Sequence, residues 1–391
     1  MTQLSLEKVT IHGFRGLRNL TLDGLGPVNI LVGENNSGKT SVLEAISILC
    51  NPLDPYEWMR LIRQRDFGRL DETRIQSLRW CFRQSGNLQP SEAMFREECR
   101  MTCEGAFPLR SLSVSYKDLI GEPDEATLRR IERFRGSVPD ELDVNELWFG
   151  AELSHKVVGY IHPQPSLFDN LDDEEEVITV QVWENDPVTR ARIRRRGGLP
   201  CETLTPYSYQ INILQMEAHS KQLFAASEDR VAGREGILEL LRMFDPKIRD
   251  IQIASFRGRR PALYIDHADL GAAPLSIFGD ALRRVVLLAS TLYSLGGGGI
   301  LLIDEVETGI HVSALKRVFF WLTKAASSLG VQIVATTHSL EAVDAIASSV
   351  PDVGSDFVTF RLSQTEVGTE SKRIHGDLLH RLRFERGLDV R

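Results

Sequence analysis

The sequence predicts an α/β fold: a mainly parallel sheet flanked by helices, joined to an α+β insert. Three observations predict it. An apolar strand, Val28–Val32, runs into the glycine-rich loop Gly33-Glu34-Asn35-Asn36-Ser37-Gly38-Lys39-Thr40, and a helical pattern leaves it. The continuous apolar run Ile300–Ile303 and the largely apolar Val331–Thr336 read as buried strands. Helical patterns lie beside them, at Ala281–Leu295 and 312–328, an alternation that builds parallel sheets.

The chain divides into three stretches. Residues 1–51 read as strand, turn, strand, loop and helix. Leu4, Leu6, Val9 and Ile11 mark the opening strand region, Phe14-Arg15-Gly16-Leu17 a turn, and Leu20 and Leu22 a second alternation. The helix after the loop carries Val42, Leu43, Ile46 and Leu49 on one face. Residues 52–209 change character after Pro52, Pro55, Tyr56 and Trp58 and form the α+β insert. Strands are expected at Leu78–Phe82, Ser111–Tyr116 and Val177–Trp183, with a short helix at Ala126–Arg135. An acidic run spans Asp172 to Glu176, and Arg190, Arg192, Arg194, Arg195 and Arg196 crowd a basic one. No heptad repeat is sustained, so a long coiled-coil arm is not expected. Residues 210–391 begin helical and then give strands around Ile251, Ile253 and Leu263–Ile265. The helix–strand alternation follows, with Leu282, Val285, Val286, Ala289 and Leu292 on the inward face of the 281–295 helix.

Bulk properties narrow the class. A hydrophobic fraction of 42% and a charged fraction of 26% are those of an ordinary globular chain. No run of about 18 apolar residues appears, so no membrane span is expected. The first residues lack the basic and apolar parts of a signal peptide. A net charge of −8 argues against coating nucleic acid with the whole surface, while leaving room for a local basic groove. The five cysteines are scattered and form no zinc pattern. They read as reduced, mostly buried thiols, and the expected location is cytoplasmic.

The loop at 33–40 fills every fixed position of the G-x-x-x-x-G-K-[ST] phosphate loop. Its glycines let successive backbone N–H groups point at phosphate oxygens, and the helix behind it adds its positive dipole end. Gly33, Asn35, Asn36, Ser37, Gly38, Lys39, Thr40 and Ser41 are therefore the candidate nucleotide-binding residues. Lys39 would reach the β- and γ-phosphates, and the Thr40 hydroxyl would ligate Mg²⁺. Asp304-Glu305 follows the apolar run at 300–303 and matches a Walker B segment. Asp304 suits support of Mg²⁺, and Glu305 suits proton abstraction from an attacking water. The next buried strand leads into Thr337-His338-Ser339, where a histidine can hydrogen-bond the γ-phosphate. Before the 281–295 helix lies Pro274-Leu275-Ser276-Ile277-Phe278-Gly279-Asp280. This turn is a candidate anion site at a helix start, with Ser276 and Gly279 as its contact residues, or a plain N-cap supplied by Asp280.

This ordered set resembles the ABC-type ATPase heads of the SMC and RecF group, and most of all the OLD-like ATPases. Such heads open with Ile-x-Asn-Phe-Arg, and here Ile11-His12-Gly13-Phe14-Arg15 stands in that place. The resemblance covers about 1–50 and 210–345. It implies an ATPase that takes ATP and Mg²⁺. Lys39 and Thr40 would sit on phosphate and metal, Asp304 on Mg²⁺, Glu305 would be the general base, His338 the switch histidine, and Arg15 an arginine near the nucleotide. Glu307-Thr308-Gly309-Ile310-His311 resembles the D-loop, which lines a partner's site. Two departures accompany it. The turn is not Leu-Ser-Gly-Gly-Gln, and alignment on Gly279-Asp280 puts Ile277 at the serine position, which predicts slow hydrolysis. The glutamine loop finds no place.

The resemblance further implies a homo-oligomer, at least a dimer, with ATP held between two heads. OLD proteins look like such a head followed by a TOPRIM nuclease domain of on the order of a hundred residues. The segment after His338 is shorter, so intrinsic nuclease activity is not expected. Stand-alone OLD-like heads resemble the ATPase halves of bacterial anti-phage systems. That implies a switch or scaffold acting on a separate effector, a TOPRIM-type nuclease being the analogous one. The alternative is a RecF-like DNA-repair ATPase, with DNA as partner and the 190–196 arginines as its basic surface.

Overall fold

The computed structural model describes residues 4–65, 74–82, 96–123, 125, 128–129, 148–159, 175–183, 198–208, 228–254, 262–353, 357–366 and 368–391. The strands are β1 (Lys8–Phe14), β2 (Leu17–Asp23), β3 (Val28–Val32), β4 (Arg96–Glu104), β5 (Leu109–Gly121), β6 (Trp148–Gly159), β7 (Glu175–Trp183), β8 (Cys201–Leu204), β9 (Ile248–Ala254), β10 (Ala262–His267), β11 (Gly271–Pro274), β12 (Gly299–Ile303), β13 (Val331–Thr336), β14 (Phe357–Gln364) and β15 (Thr369–His375). The helices are α1 (Lys39–Cys50), α2 (Tyr56–Arg65), α3 (Arg74–Arg79), α4 (Glu228–Arg242), α5 (Asp280–Ser294), α6 (Val312–Leu329), α7 (Leu340–Val353) and α8 (Gly376–His380).

Two six-stranded sheets and a small three-stranded one organise these elements. The parallel sheet has the order β15-β14-β3-β13-β12-β8, with only β15 antiparallel. The strands expected at 28–32, 300–303 and 331–336 are its buried central strands, with Asn29, Gln332 and Thr336 as buried polar residues among the apolar ones. The second sheet is antiparallel, β2-β1-β4-β5-β6-β7. The third is β11-β10-β9.

Alternation within single strands divides the interior into two cores. On β12, Leu301 and Ile303 join the core under α4 to α7, while Ile300 and Leu302 join the core shared with the antiparallel sheet. The second core holds α1, sandwiched between the two large sheets. That placement corrects the one-faced reading of α1: every residue from Val42 to Cys50 is buried, Glu44 and Ser47 included. Burying each large apolar side chain in such a core contributes about 1.5–3 kcal/mol. Buried amides tie the layers. Gln332 on β13 accepts from Leu6 N at 3.0 Å and donates to Leu6 O at 2.7 Å, and Asn29 donates to Ile333 O at 3.1 Å.

The strand expected at Leu78–Phe82 is instead helix α3 and the turn after it. Leu78, Cys81 and Phe82 are all buried, at the i, i+3, i+4 spacing of a helical face, and Phe82 stacks on Trp58 with ring centroids 5.0 Å apart. The strands expected at 111–116 and 177–183 are present within β5 and β7. The strands of 52–209 extend the sheet that β1 and β2 begin, and β8 pairs in parallel with β12, so the sheets run across the expected division at 51/52. Most of the helix expected at 126–135, the acids 172–174 and the arginines 190–196 lie outside the described residues. All five cysteines are buried free thiols. Among the described residues, no helix is long and apolar enough to cross a membrane.

Candidate nucleotide site

The phosphate loop joins β3 to α1, and its backbone requires the residues it has. Gly33, Asn36 and Gly38 adopt φ of 151°, 64° and 90°. At Gly33 a Cβ would meet Leu362 O at 2.5 Å, and at Gly38 it would meet Leu17 Cδ2 at 2.6 Å, so both positions exclude a side chain on space as well as torsion. Lys39 Nζ folds back on the loop, donating to Gly33 O at 2.7 Å and Glu34 O at 2.8 Å. Burial lowers its pKa, against the raising influence of Asp304, Glu305 and Glu307. An ammonium so placed gains when an anion replaces the carbonyls.

The ends of the neighbouring parallel strands bring in the acids. Asp304 follows β12. Its carboxylate accepts from Thr40 Oγ1 at 3.1 and 3.2 Å and from Thr336 Oγ1 at 2.6 Å. Burial raises the Asp304 pKa above the ordinary carboxylate range, and the two threonine hydrogen bonds partly offset this. A desolvated carboxylate facing a hydroxyl suits Mg²⁺, which takes one or two protein oxygens and leaves the rest to water and phosphate. Thr40 and Asp304 would hold the ion, and its charge would neutralise phosphate oxygens.

Glu305 sits at φ 47°, a left-handed conformation that a glutamate enters at a cost. Its backbone N–H donates to Thr336 Oγ1 at 2.9 Å, and Thr308 Oγ1 donates to its Oε2 at 3.1 Å. His338, in the link between β13 and α7, has Nδ1 3.8 Å from Glu305 Oε1 and 3.8 Å from Glu307 Oε1. Thus Lys39, Thr40, Asp304, Glu305 and His338, far apart in sequence, meet at the carboxyl ends of β3, β12 and β13. Crevices outside the carboxyl ends of parallel strands are where α/β sheets bind ligands.

Arg15, at φ 50° in the β1–β2 turn, is committed to α1: its Nε is 2.9 Å from Glu44 Oε2. Arg65 at the end of α2 also grips Glu44, at 2.6 and 2.9 Å, and its terminal nitrogen lies 3.4 Å from Ser41 Oγ. Ser276 and Ile277 form an exposed short 3-10 turn, and Gly279 caps α5. Ile277 is 61% exposed, and a Cβ added at Gly279 would meet no atom within 4 Å. This turn is open to the outside of the chain.

Three further residues tie the site together, two of them without a sequence motif to announce them. Arg65 has been described. Gln364, at the end of β14, donates to Asn36 O at 2.7 Å and steadies the kink of the phosphate loop. Arg284 on α5 is fully buried and donates to Thr205 O at 2.6 Å and Asp304 O at 3.4 Å, linking the exposed turn's helix to the acid strand. Two arginines in tandem, Arg283 and Arg284, were the only signal for the last. Helical phase places Arg284 inward.

The loop, the acids and the threonine hydroxyls define a P-loop nucleoside-triphosphatase site. Residues 5–97 match the family described as "AAA ATPase domain", and residues 160–344 match "AAA domain, putative AbiEii toxin, Type IV TA system". An ATP/GTP phosphatase of Helicobacter pylori is 22% identical over 87% of this chain and 86% of its own. RecF of Teredinibacter turnerae is 33% identical over 22% of this chain and 24% of its own. The alignments to RecF and to an uncharacterised Methanocaldococcus jannaschii protein span less than a third of those relatives' lengths. A solved SMC head bound to the C-terminal winged-helix domain of ScpA superposes with a TM-score of 0.49 at 12% identity, over 98% of this chain and 99% of that one. Motif order, sheet topology and the two AAA matches support a P-loop ATPase that binds and hydrolyses a nucleoside triphosphate.

Proposed function

We propose that the chain is an ATP-operated switch in which two copies enclose ATP and separate after hydrolysis. The observation that carries this reading is the exposed turn at Ser276–Gly279. Ser276, Ile277 and Gly279 are exposed at the head of α5, and among the described residues no atom lies within 4 Å of a Cβ added at Gly279. A phosphate loop already serves the chain's own nucleotide, so a second anion-binding turn fits a nucleotide held by another copy.

The residues then divide the work. Lys39 and the loop amides bind the β- and γ-phosphates, and Thr40 and Asp304 hold Mg²⁺. Glu305 accepts a proton from the water that attacks the γ-phosphate. His338 donates to the γ-phosphate and registers its departure. Phosphoryl transfer depends on position and charge far more than on covalent help, so a site lacking its partner surface is slow. Ile277 supplies no hydroxyl at the position where a serine would reach the partner's phosphate, which adds to slowness. The H. pylori relative, named an ATP/GTP phosphatase, supports hydrolysis of a nucleoside triphosphate.

The switch acts on a separate effector. The description of one matched AAA family as a putative toxin of a toxin–antitoxin system supports a role in bacterial defence. By the OLD-like resemblance alone, the controlled protein is a nuclease. The RecF alignments favour a second reading, a DNA-binding repair ATPase. Duplex-DNA affinity that falls steeply with salt would select it. The test of the switch itself is ATPase rate against protein concentration. The rate rises faster than linearly if two copies build the site. Strict proportionality down to concentrations at which the protein is monomeric would refute it.

A further inference from the structure

The backbone of His338 is held from two sides. Its N–H and that of Ser339 donate to Glu307 Oε1 at 3.4 and 3.3 Å. Its carbonyl accepts from an Arg391 terminal nitrogen at 3.1 Å. Both partners are themselves fixed. The Glu307 side chain is 14% exposed and sits in the turn that the left-handed Glu305 opens. Arg391 is oriented by Asp389, at 3.1 Å from its Nε and 2.7 Å from its second terminal nitrogen. Val390 between them is buried in the helix-side core. The same segment is tied to α7, because Arg383 grips Asp344 at 2.6 and 3.0 Å and donates to Leu388 O at 2.5 Å.

We propose that Glu307 and Arg391 are positioning residues that hold the switch histidine's backbone, and so keep its imidazole between Glu305 and the place of the γ-phosphate. The proposal rests on the assignment of His338 given above. Its physical ground is the imidazole's own lack of a close anchor. At 3.8 Å from each carboxylate, Nδ1 makes no hydrogen bond to either, and His338 lies outside helix and strand. The ring's position is therefore set by its backbone, which these two side chains hold beside the hydrogen bond from Ser339 N to Thr337 Oγ1 at 3.1 Å and the bond from Thr337 N to Leu31 O. Glu307 carries the acid loop's position to the histidine, and Arg391 carries that of the chain's last residues and, through Arg383, of α7. A group displaced by an ångström in such a site loses much of its catalytic effect.

The test is a set of variants in two backgrounds. Glu307→Ala and Arg391→Ala are each made in the parent and in His338→Ala, and kcat is measured beside the affinity for a fluorescent ATP analogue. In the parent each variant lowers kcat about tenfold with analogue affinity unchanged. In His338→Ala neither lowers it further, because the group they position is gone. Arg391→Lys, which retains a cationic donor, recovers part of the loss. Equal losses in both backgrounds, or losses matched by weaker analogue binding, would overturn the proposal while leaving His338 in its role. A His338→Ala protein with the parent's kcat would overturn the assignment and the proposal together. Should Glu307→Ala fail to fold, the Arg391 variants decide alone.

Discussion

The antiparallel half of the molecule and the carboxyl ends of its parallel strands differ in how their buried charged groups are held. In the antiparallel half the cluster around Glu57 is matched locally, although Trp183 Nε1 there has no hydrogen-bond partner among the described residues. Ser47 donates to Glu57 at 2.5 Å, Arg60 joins both, and Trp58 Nε1 donates to a neutral, buried His155 at 3.0 Å. At the strand ends the charged groups are left in tension. Burial lowers the Lys39 pKa and raises that of Asp304, Glu305 is held at positive φ, and Glu307 Oε2 is buried without a hydrogen-bond partner among the described residues. The difference separates a scaffold from a site. Tension that a ligand would relieve is stability withheld from the free protein and returned on binding.

Substitutions break that contrast in different places. Lys39→Ala has the largest effect. It removes the cation aimed at the phosphates and costs at least about 100-fold in hydrolysis, the scale of losing one transition-state donor. The melting temperature stays near the parent's, because Lys39 bonds only within the loop among the described residues. Steady-state ATPase and a thermal melt check both halves of that statement.

Asp304→Asn separates stability from activity. The folded chain binds the Asp304 proton more tightly than the unfolded chain does, so stability is lost as pH climbs out of the carboxylate range. The variant therefore melts about 2 °C higher than the parent in the absence of nucleotide. Its advantage is greater near neutral pH than in acid. Its ATPase falls, because the same carboxylate is needed once Mg²⁺ is present. A parent that melts higher than the variant at neutral pH would show that Asp304 is already compensated.

The smallest effect probes the scaffold side. Burial lowers His155 from 6.5 to about 4. Folding thus keeps His155 neutral while the unfolded chain takes up its proton below 6.5. The His155 contribution is constant above 6.5, declines as pH falls, and is spent below about 4. His155→Gln retains an acceptor for Trp58 and has no such titration. The melting temperature of the variant relative to the parent rises between those two pH values, while ATPase at neutral pH is unaffected.

The same contrast explains what could be read in advance. The phosphate loop, the acids at 304–305 and the three central strands were legible because each is encoded by contiguous residues: a fixed glycine and lysine spacing, or a mostly apolar run. The antiparallel sheet was legible only in pieces. Its strand β1 pairs with β4, joining Lys8 to Glu104, and no local pattern encodes a partner that distant. Leu78 to Phe82 misled because a short buried helix and a short buried strand are equally apolar. The one-faced reading of α1 failed because the partners of Glu44 and Ser47, namely Arg15, Arg65, Glu57 and Arg60, are delivered by tertiary packing. Gln364 and Arg65 stayed hidden because each acts through a single side chain delivered by tertiary packing.

The most direct test of a site built by two copies uses Glu305→Gln, which removes the proposed base while Lys39 and the phosphate loop are unchanged. Its mass is measured by light scattering after gel filtration with ATP and Mg²⁺, and again with ADP. The account predicts a stable assembly of two or more chains with ATP, reverting to a single chain with ADP. A monomer that retains bound ATP, or hydrolysis at the parent's rate, would contradict it.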